Sequence, residues 1–366
     1  MEKRIRNIFS KIDKNLDIIL IKNSSHPFID DNFFYVTGLH KGLFEGSVAV
    51  LYDDGSLDLV VSELEAESAR KAKLPLHVYT DHKEFVSILQ KLTSSYTTIG
   101  LNYAGISHAE FYTLHDIISH PTFIDVSKQL MDARLVKDQL EIKTIRKACN
   151  ISDSVMKKIP DLLFEGIKEY EIAAEIEHHM LKLGADSPAF ETISSFNKNT
   201  AEPHYSHGNV ELQKGDFTLF DFGARFQKYN SDITRTYVFG KAEKKQIEMY
   251  ETVLAAQQIG FDTITPGVTG NDVHTKVQNY IDNTQFKGRF IHSTGHSLGI
   301  AVHDGSKGLS TNSPVILKEN MVFTVEPGIY IPGYGGVRIE DDILVKKDGF
   351  ELLTQSSNKF IEISRE

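Results

Sequence analysis

Two aspartates, Asp221 and Asp232, stand with ten residues between them in the stretch FTLFDFGARFQKYNSDITRTYVF, residues 217–239. Asp221 interrupts an apolar run (Phe217, Leu219, Phe220, Phe222), and Asp232 opens a second run, 233–239, rich in β-branched and aromatic residues. Both runs read as strands, and a short polar connection would bring the two acids side by side. A buried carboxylate pair is unfavourable unless positive charge lies between its members, and a metal ion is the commonest source of that charge. Three later segments carry matching chemistry. HSTGHSLGIAVHDG, 292–305, holds His292, His296 and His303 among glycines. VFTVEPGIYI, 322–331, ends an apolar strand with Glu326 before Pro327-Gly328, and GGVRIEDDILV, 335–345, sets Glu340 within another strand pattern. Any one of these acids has an ordinary explanation, such as a buried pair with Arg338 or a bulge. Four carboxylates and a histidine recurring in the same apolar setting point instead to a shared cation.

The elements that must position these groups fall in two parts, as suits a chain of 366 residues. Residues 1–126 read as a small α/β domain. A helix with Ile5, Ile8, Phe9 and Ile12 on one side precedes strands at 17–22, 33–37, 46–52 and 57–61, the last two joined by the turn Asp53-Asp54-Gly55. Helices near 62–73, 82–93 and 107–118 then alternate with strands at 77–80 and 97–101. Residues 127–366 read as the second domain. It opens with a charged, amphipathic helical linker over 127–163, followed by a helix over 168–183 closed by Gly184. Strands at 190–195, 216–223 and 229–239 follow, then helices at 242–262 and 270–283 separated by Pro266-Gly267. The fold class is mixed α/β (α+β).

Composition narrows the function. A net charge of −10 with no basic tract excludes nucleic acid as a main partner, whereas carboxylates gathered in one cleft suit a cation or the amino end of a substrate. The single cysteine, Cys149, cannot form an internal disulfide and reads as a small apolar helix residue. The charged N-terminus has no signal-type apolar core and no run is long enough to span a bilayer, so a cytoplasmic protein without membrane contact is expected.

Taken in order, DFGARFQKYNSDITRTYVFG, HSTGHSLGIAVHD, VEPGIYI and GGVRIEDDILV resemble the pita-bread metallopeptidase family, which includes methionine aminopeptidase, aminopeptidase P and prolidase. The resemblance covers about residues 140–360. The first domain, with NFFYVTGL at 32–39, is similar to the N-terminal domain of Xaa-Pro peptidases and creatinase, which favours the Xaa-Pro branch. The resemblance implies metal ligation by Asp221, Asp232, His296, Glu326 and Glu340, with Asp232 and Glu340 bridging two divalent ions. An oxygen-rich set with one imidazole suits Mn²⁺, with Co²⁺ or Zn²⁺ as substitutes. Two such ions about 3.5 Å apart can share and activate a hydroxide.

The resemblance also implies Glu326 as the proton acceptor, with His204 (in AEPHYSHG) and His303 as further catalytic and substrate-binding groups. Arg338 orients the metal carboxylates or meets a substrate carboxylate; two residues from Glu340, it would share that residue's strand face. His292 reads as a supporting group and His207 as an ordinary surface or core histidine. Two departures fall beside the cleft. The chain reads PHYSHGN where the family often has a proline after the histidine pair, and His303-Asp304-Gly305 where it commonly has His-Glu and a proline. The expected substrate is a small peptide with proline at its second position, and a homodimer is the assembly the relatives suggest. Dipeptidase and aminopeptidase action both stay open. The alternatives are methionine aminopeptidase-like activity or a non-catalytic metal-binding scaffold of the same fold.

Overall fold

In a computed structural model that describes residues 1–13, 15–305 and 307–364, the chain forms two units, Met1–Arg134 and Leu135–Glu366. No helix among the described residues is long and apolar enough to cross a membrane.

The first unit is built on a six-stranded sheet in the order Leu76–Tyr79, Leu57–Ser62, Ser47–Tyr52, Ile18–Asn23, Thr98–Leu101, Thr122–Asp125. Ser47–Tyr52 runs antiparallel to both neighbours, and the remaining pairings are parallel, so five strands end at the same edge. The central strand, IILIKN, is buried along its whole length, as a strand covered on both faces must be. Helices His82–Thr93 and His108–Ile117 start from side-chain caps at Asp81 and Ser107, and set Phe85, Leu89, Leu114 and Ile117 against Ile18, Leu20, Val48 and Val60.

Two expectations are corrected here. Residues 33–37 are not a strand but part of the helix Asp31–Thr37. Their aromatic and β-branched composition suits a strand, yet the cap signals on either side win. Asp30 accepts from the Asn32 N–H, and Gly38 closes the helix in the left-handed conformation at φ 71°. The segment 127–163 is not one helix but three: Ser127–Leu135, Gln139–Met156 and Ile159–Leu162. Asp138 and Glu141 form a capping box that restarts the chain. The helix before it is held in the first unit. The Ala133 carbonyl accepts from Asn7 and Tyr35 (3.2 and 3.1 Å), and Arg134 donates to Asn32 (2.8 Å). The compact units divide between Arg134 and Leu135.

The second unit contains a four-stranded sheet in the order Glu362–Ile363, Ile233–Phe239, Phe217–Phe222, Ile193–Phe196. A three-stranded sheet, Val322–Val325, Asp341–Lys346 and Gly349–Leu352, and the hairpin Gly328–Ile331 with Gly335–Arg338 complete the scaffold. Helices Gln139–Met156 and Glu169–Lys182 pack on one apolar cluster, containing Ile151, Ile172, Phe220 and Phe222. Helices Lys244–Thr263 and Gly270–Asp282 pack on another, containing Val253, Val277, Val238 and Ile339. The residues between Asp221 and Asp232 are more than a polar connection. Ala224–Phe226 and Tyr229–Asn230 pair as a hairpin of their own.

Candidate metal centre

Asp221 lies in the strand Phe217–Phe222, opposite Thr234 on Ile233–Phe239. Asp232 immediately precedes that second strand, and its backbone N–H donates to Asp342 Oδ2 at 2.8 Å. Glu326 follows Val322–Val325 as expected. Glu340 is not inside a strand but at the break between Gly335–Arg338 and Asp341–Lys346, where the chain passes from hairpin to sheet. It is fixed there from the other sheet. The Glu340 N–H donates to the Thr234 carbonyl (3.1 Å), and the Thr234 hydroxyl donates to Glu340 Oε2 (2.5 Å). His296 is laced to Thr324, its N–H donating to the Thr324 hydroxyl (3.0 Å) and its carbonyl accepting from the Thr324 N–H (2.9 Å).

All five residues face one cleft of about 750 Å³. Ligand atoms of Asp232, His296 and Glu340 lie within 4.8 Å of one another. His296 Nε2 is 3.5 Å from Asp232 Oδ2 and 3.6 Å from Glu326 Oε1. The electrostatics of this arrangement are unfavourable by themselves. Burial, then the neighbouring Glu340, raises Asp232 well above the ordinary carboxyl range. Burial, then Glu326 and Asp221, does the same to Glu340. Burial raises Glu326 to about 7, with repulsion from Asp221 working against the pull of Arg338. Burial lowers His296, keeping a neutral imidazole with a free lone pair.

The residues fit a divalent metal. Among the described residues, the buried oxygens Asp221 Oδ1 and Asp232 Oδ1 find no hydrogen-bond donor. Orphaned buried acceptors are rare, and a cation completed by four carboxylates and a neutral imidazole accounts for both.

Supporting groups surround the ligands. Arg338, only 2% exposed, donates to Asp221 Oδ2 (2.5 Å), the Tyr330 hydroxyl (2.8 Å) and the Thr234 hydroxyl (3.1 Å). Its fork is committed to Asp221, a carboxylate on another strand, and not to the neighbouring Glu340. His292 Nε2 lies 2.8 Å from the Tyr330 hydroxyl and Nδ1 3.8 Å from Glu326 Oε2; burial, then Arg338, pushes it to about 3. His204 and His303 both line the cleft from exposed loop positions. The His303 ring centroid is 4.2 Å from that of His296, and partial burial, then His296 and His204, pushes its pKa to about 4. His207 is outside the lining, with Nδ1 3.0 Å from the Thr192 carbonyl. Cys149 lies buried in Gln139–Met156, its thiol donating to Asp342 Oδ2 at 3.4 Å and pushed up by burial.

Several residues of the site carry no individual sequence signal. Asp342 holds the Asp232 backbone, Lys137 forms a buried pair with Asp304 (3.2 Å), and Glu169 gathers the loop that bears His204. Tyr330 lies inside a motif already singled out, and its role shows only in its bonds to Arg338 and His292.

Comparison with known proteins follows the same lines. Residues 143–347 match metallopeptidase family M24, and residues 3–136 match the creatinase/prolidase N-terminal domain. The Xaa-Pro dipeptidase of Pyrococcus horikoshii is 36% identical over 99% of this chain and 99% of that protein. The crystal structure of the prolidase from Pyrococcus horikoshii OT3 is similar with a TM-score of 0.89 and 34% identity, covering 98% of this chain and 100% of that one. The X-Pro aminopeptidase from Thermotoga maritima MSB8 is similar with a TM-score of 0.89 and 29% identity, covering 95% of this chain and 97% of that one. A match through most of the second unit, with relatives aligned along nearly the whole chain, shows that the protein is a hydrolase belonging to metallopeptidase family M24 and carrying a creatinase/prolidase N-terminal domain.

Proposed function

We propose that this metallopeptidase cleaves the bond between an N-terminal residue and proline, with two divalent ions, Mn²⁺ foremost, held by Asp221, Asp232, His296, Glu326 and Glu340. The observation that carries the reading is the buried cluster of Asp232, His296 and Glu340 beside two oxygens without donors. When bound, the ions supply Lewis acidity toward the scissile carbonyl and toward a water nucleophile. The choice of substrate draws on the Xaa-Pro dipeptidase and X-Pro aminopeptidase among the relatives.

The chain's own residues divide the remaining work. Asp232 and Glu340 would be held in common by the two ions, with Asp221, His296 and Glu326 completing the ligand set. Glu326 Oε1 accepts from the Thr324 hydroxyl (3.1 Å), which leaves Oε2 to take the proton of the attacking water. That proton goes to the proline nitrogen, which leaves as a secondary amine. His303, neutral at pH 7, and His204 hold the substrate from the cleft wall, and Phe190, Ile193 and Val302 offer the ring an apolar surface. An X–Pro amide has no N–H, so recognition must come from the carbonyl, the ring and the free amino end.

The test is hydrolysis of Ala-Pro, Ala-Pro-Ala and Met-Ala-Ser by metal-stripped protein reloaded with Mn²⁺. Cleavage of Ala-Pro alone marks a dipeptidase, and cleavage of both proline peptides an aminopeptidase. Cleavage of Met-Ala-Ser alone, or of none with metal bound, overturns the reading. Glu326→Gln should retain its fold and lose turnover.

A further inference from the structure

The first unit contains a second cleft, of about 600 Å³, whose lining includes Lys22, Tyr79, Asp81, Phe85, Ser107 and Glu110. It opens where the parallel strands Ile18–Asn23, Leu76–Tyr79 and Thr98–Leu101 end and the helices His82–Thr93 and His108–Ile117 begin. In open α/β sheets this carboxyl edge is where ligands bind. Lys22 is the unusual member. Its side chain is 6% exposed, yet among the described residues its ammonium makes no hydrogen bond. The Glu110 carboxylate stands 3.9 Å away, and the Phe85 ring centroid 5.4 Å. Paired only at this distance with Glu110 and facing the Phe85 ring, the ammonium has N–H donors to offer a ligand in the cleft. The Glu110 carboxylate, 30% exposed, also accepts no hydrogen bond.

We propose that this cleft binds a free α-amino acid, its carboxylate on Lys22, its ammonium on Glu110 and its side chain along Phe85 and Tyr79. Charge selects that class. A purely anionic ligand would meet Glu110 and Asp81, and a purely cationic one would meet Lys22; a zwitterion answers both signs. Spacing selects it over a peptide. The two protein charges are 3.9 Å apart, which suits a carboxylate and an ammonium on one carbon, whereas each added residue separates a peptide's ends by about 3.3–3.6 Å. The two rings meet edge to face with centroids 5.1 Å apart and present an apolar wall beside the ion pair. The Ser107 hydroxyl, which accepts from the Glu110 N–H at 3.1 Å, keeps its proton for the ligand carboxylate. Burial lowers the Lys22 pKa against the opposing pull of Glu110. The site makes no use of the metal centre and does not depend on its chemistry, although a free amino acid is also the kind of product a peptidase releases.

The test is calorimetric titration of the full-length, metal-stripped protein with the twenty amino acids, followed by L-leucine, N-acetyl-L-leucine and L-leucinamide on variants. At least one amino acid should bind with Kd below about 1 mM, and both blocked analogues should bind about tenfold or more weakly. Lys22→Met and Glu110→Gln should each weaken binding by about tenfold or more, while His303→Ala should leave it unchanged. Glu110 is partly exposed, so Glu110→Gln keeps the test decisive if Lys22→Met does not fold. No binding by any amino acid overturns the proposal. So does binding that ignores both substitutions, binding lost in His303→Ala, or equal binding of N-acetyl-L-leucine.

Discussion

Lys137 Nζ lies 3.2 Å from Asp304 Oδ2, and the two side chains are 0% and 1% exposed. The pair fixes one end of a loop that carries His296 and His303. The Asp304 N–H donates to the Ser297 carbonyl at 2.8 Å, the Ser297 hydroxyl donates back to the Asp304 carbonyl at 2.5 Å, and the Lys137 N–H donates to the Asn320 carbonyl at 2.9 Å. It also gives a physical account of one departure from the family pattern. A Cβ on Gly299 would fall 2.0 Å from Asp304 Oδ2, so the loop closes tightly around this side chain, with Gly305 at φ 117°.

Removing one partner should strand the other charge. Lys137→Met and Asp304→Leu are each expected to destabilise by about 3–5 kcal/mol, and the double variant by much less than their sum. Urea denaturation of the four proteins measures the coupling. Additive losses would show that the pair does not act as a unit. Where the single variants fold, kcat/KM should fall with them because His303 is no longer held.

Glu169 does comparable work for the other cleft histidine. Fully buried at 0% exposure, it accepts from the Phe196 N–H (2.8 Å), Asn199 Nδ2 (3.0 Å), the Tyr205 hydroxyl (2.9 Å) and the Gly208 N–H (3.0 Å). His204 lies within the segment these bonds tie down. Glu169→Gln replaces an acceptor with a donor and should lower kcat/KM by about tenfold or more, equivalent to about 1.4 kcal/mol, while preserving circular dichroism. Combined with His204→Ala, the losses should not add. Full additivity would place Glu169 outside the action of His204.

These two residues mark where sequence reading stops. Asp221, Asp232, Glu326 and Glu340 are legible because an acid within or at the edge of an apolar run breaks a pattern that folding alone would keep. Lys137 and Glu169 stand at the starts of helices rich in other charges, where an acid or a base reads as solvated face. Their burial is decided by residues far along the chain, Asp304 for one and Asn199 to Gly208 for the other. The same limit explains the hairpin between Asp221 and Asp232, since its pairing with Ser187–Pro188 is long-range. The helix Asp31–Thr37 differs: its signal is local, two capping residues that outweigh five residues of strand-like composition.

The metal-free protein should lose stability as pH rises. Unfolded carboxyls ionise near pH 4, whereas Glu326 is held to about 7 and Asp232 and Glu340 well above their ordinary range. From about pH 4 upward these folded carboxyls hold protons that the unfolded chain has released, a slope of at most about 1.4 kcal/mol per pH unit for each. His292, His296 and His303, held neutral by burial, oppose it up to their unfolded pKa of about 6.5, so the net fall is expected above that pH. Below about pH 4 both states are protonated and the carboxyls contribute no slope. Mn²⁺ should reverse the trend, raising Tm more at pH 8 than at pH 5.5 and releasing protons on binding. Thermal melts of chelated and Mn²⁺-loaded protein decide. A metal-free Tm that climbs steadily from about pH 6.5 to 8 would contradict the site's electrostatics.

Arg338 holds Asp221 with a planar fork that lysine cannot reproduce. Arg338→Lys keeps the charge but loses the simultaneous bonds to Asp221, Tyr330 and Thr234. Mn²⁺ affinity should drop by about 10- to 100-fold, the usual effect of losing a group that orients a ligand. Competition with a fluorescent chelator measures it. Unchanged affinity together with a raised KM for Ala-Pro would instead assign Arg338 to the substrate.

The spacing of Asp221 and Asp232 depends on a backbone contact that only glycine permits. A Cβ on Gly223 would lie 1.8 Å from the Ser231 carbonyl oxygen, so the chain after Asp221 and the chain before Asp232 touch main chain to main chain. Gly295, next to His296, makes the same approach at 1.9 Å from the Thr324 carbonyl oxygen. Neither contact can be relieved by a side-chain rotation. Gly184 is a useful control, since its φ of 96° strains any replacement while no atom lies within 4 Å of its Cβ position. Gly184→Ala should cost about 1–2 kcal/mol through backbone strain alone and leave Mn²⁺ binding intact. Gly223→Ala must push the two strands apart, costing about 3 kcal/mol or more, and should lose Mn²⁺ binding even where the protein still folds. Equal stability losses and equal metal affinity in the two variants would mean that the close approach does not set the distance between the aspartates.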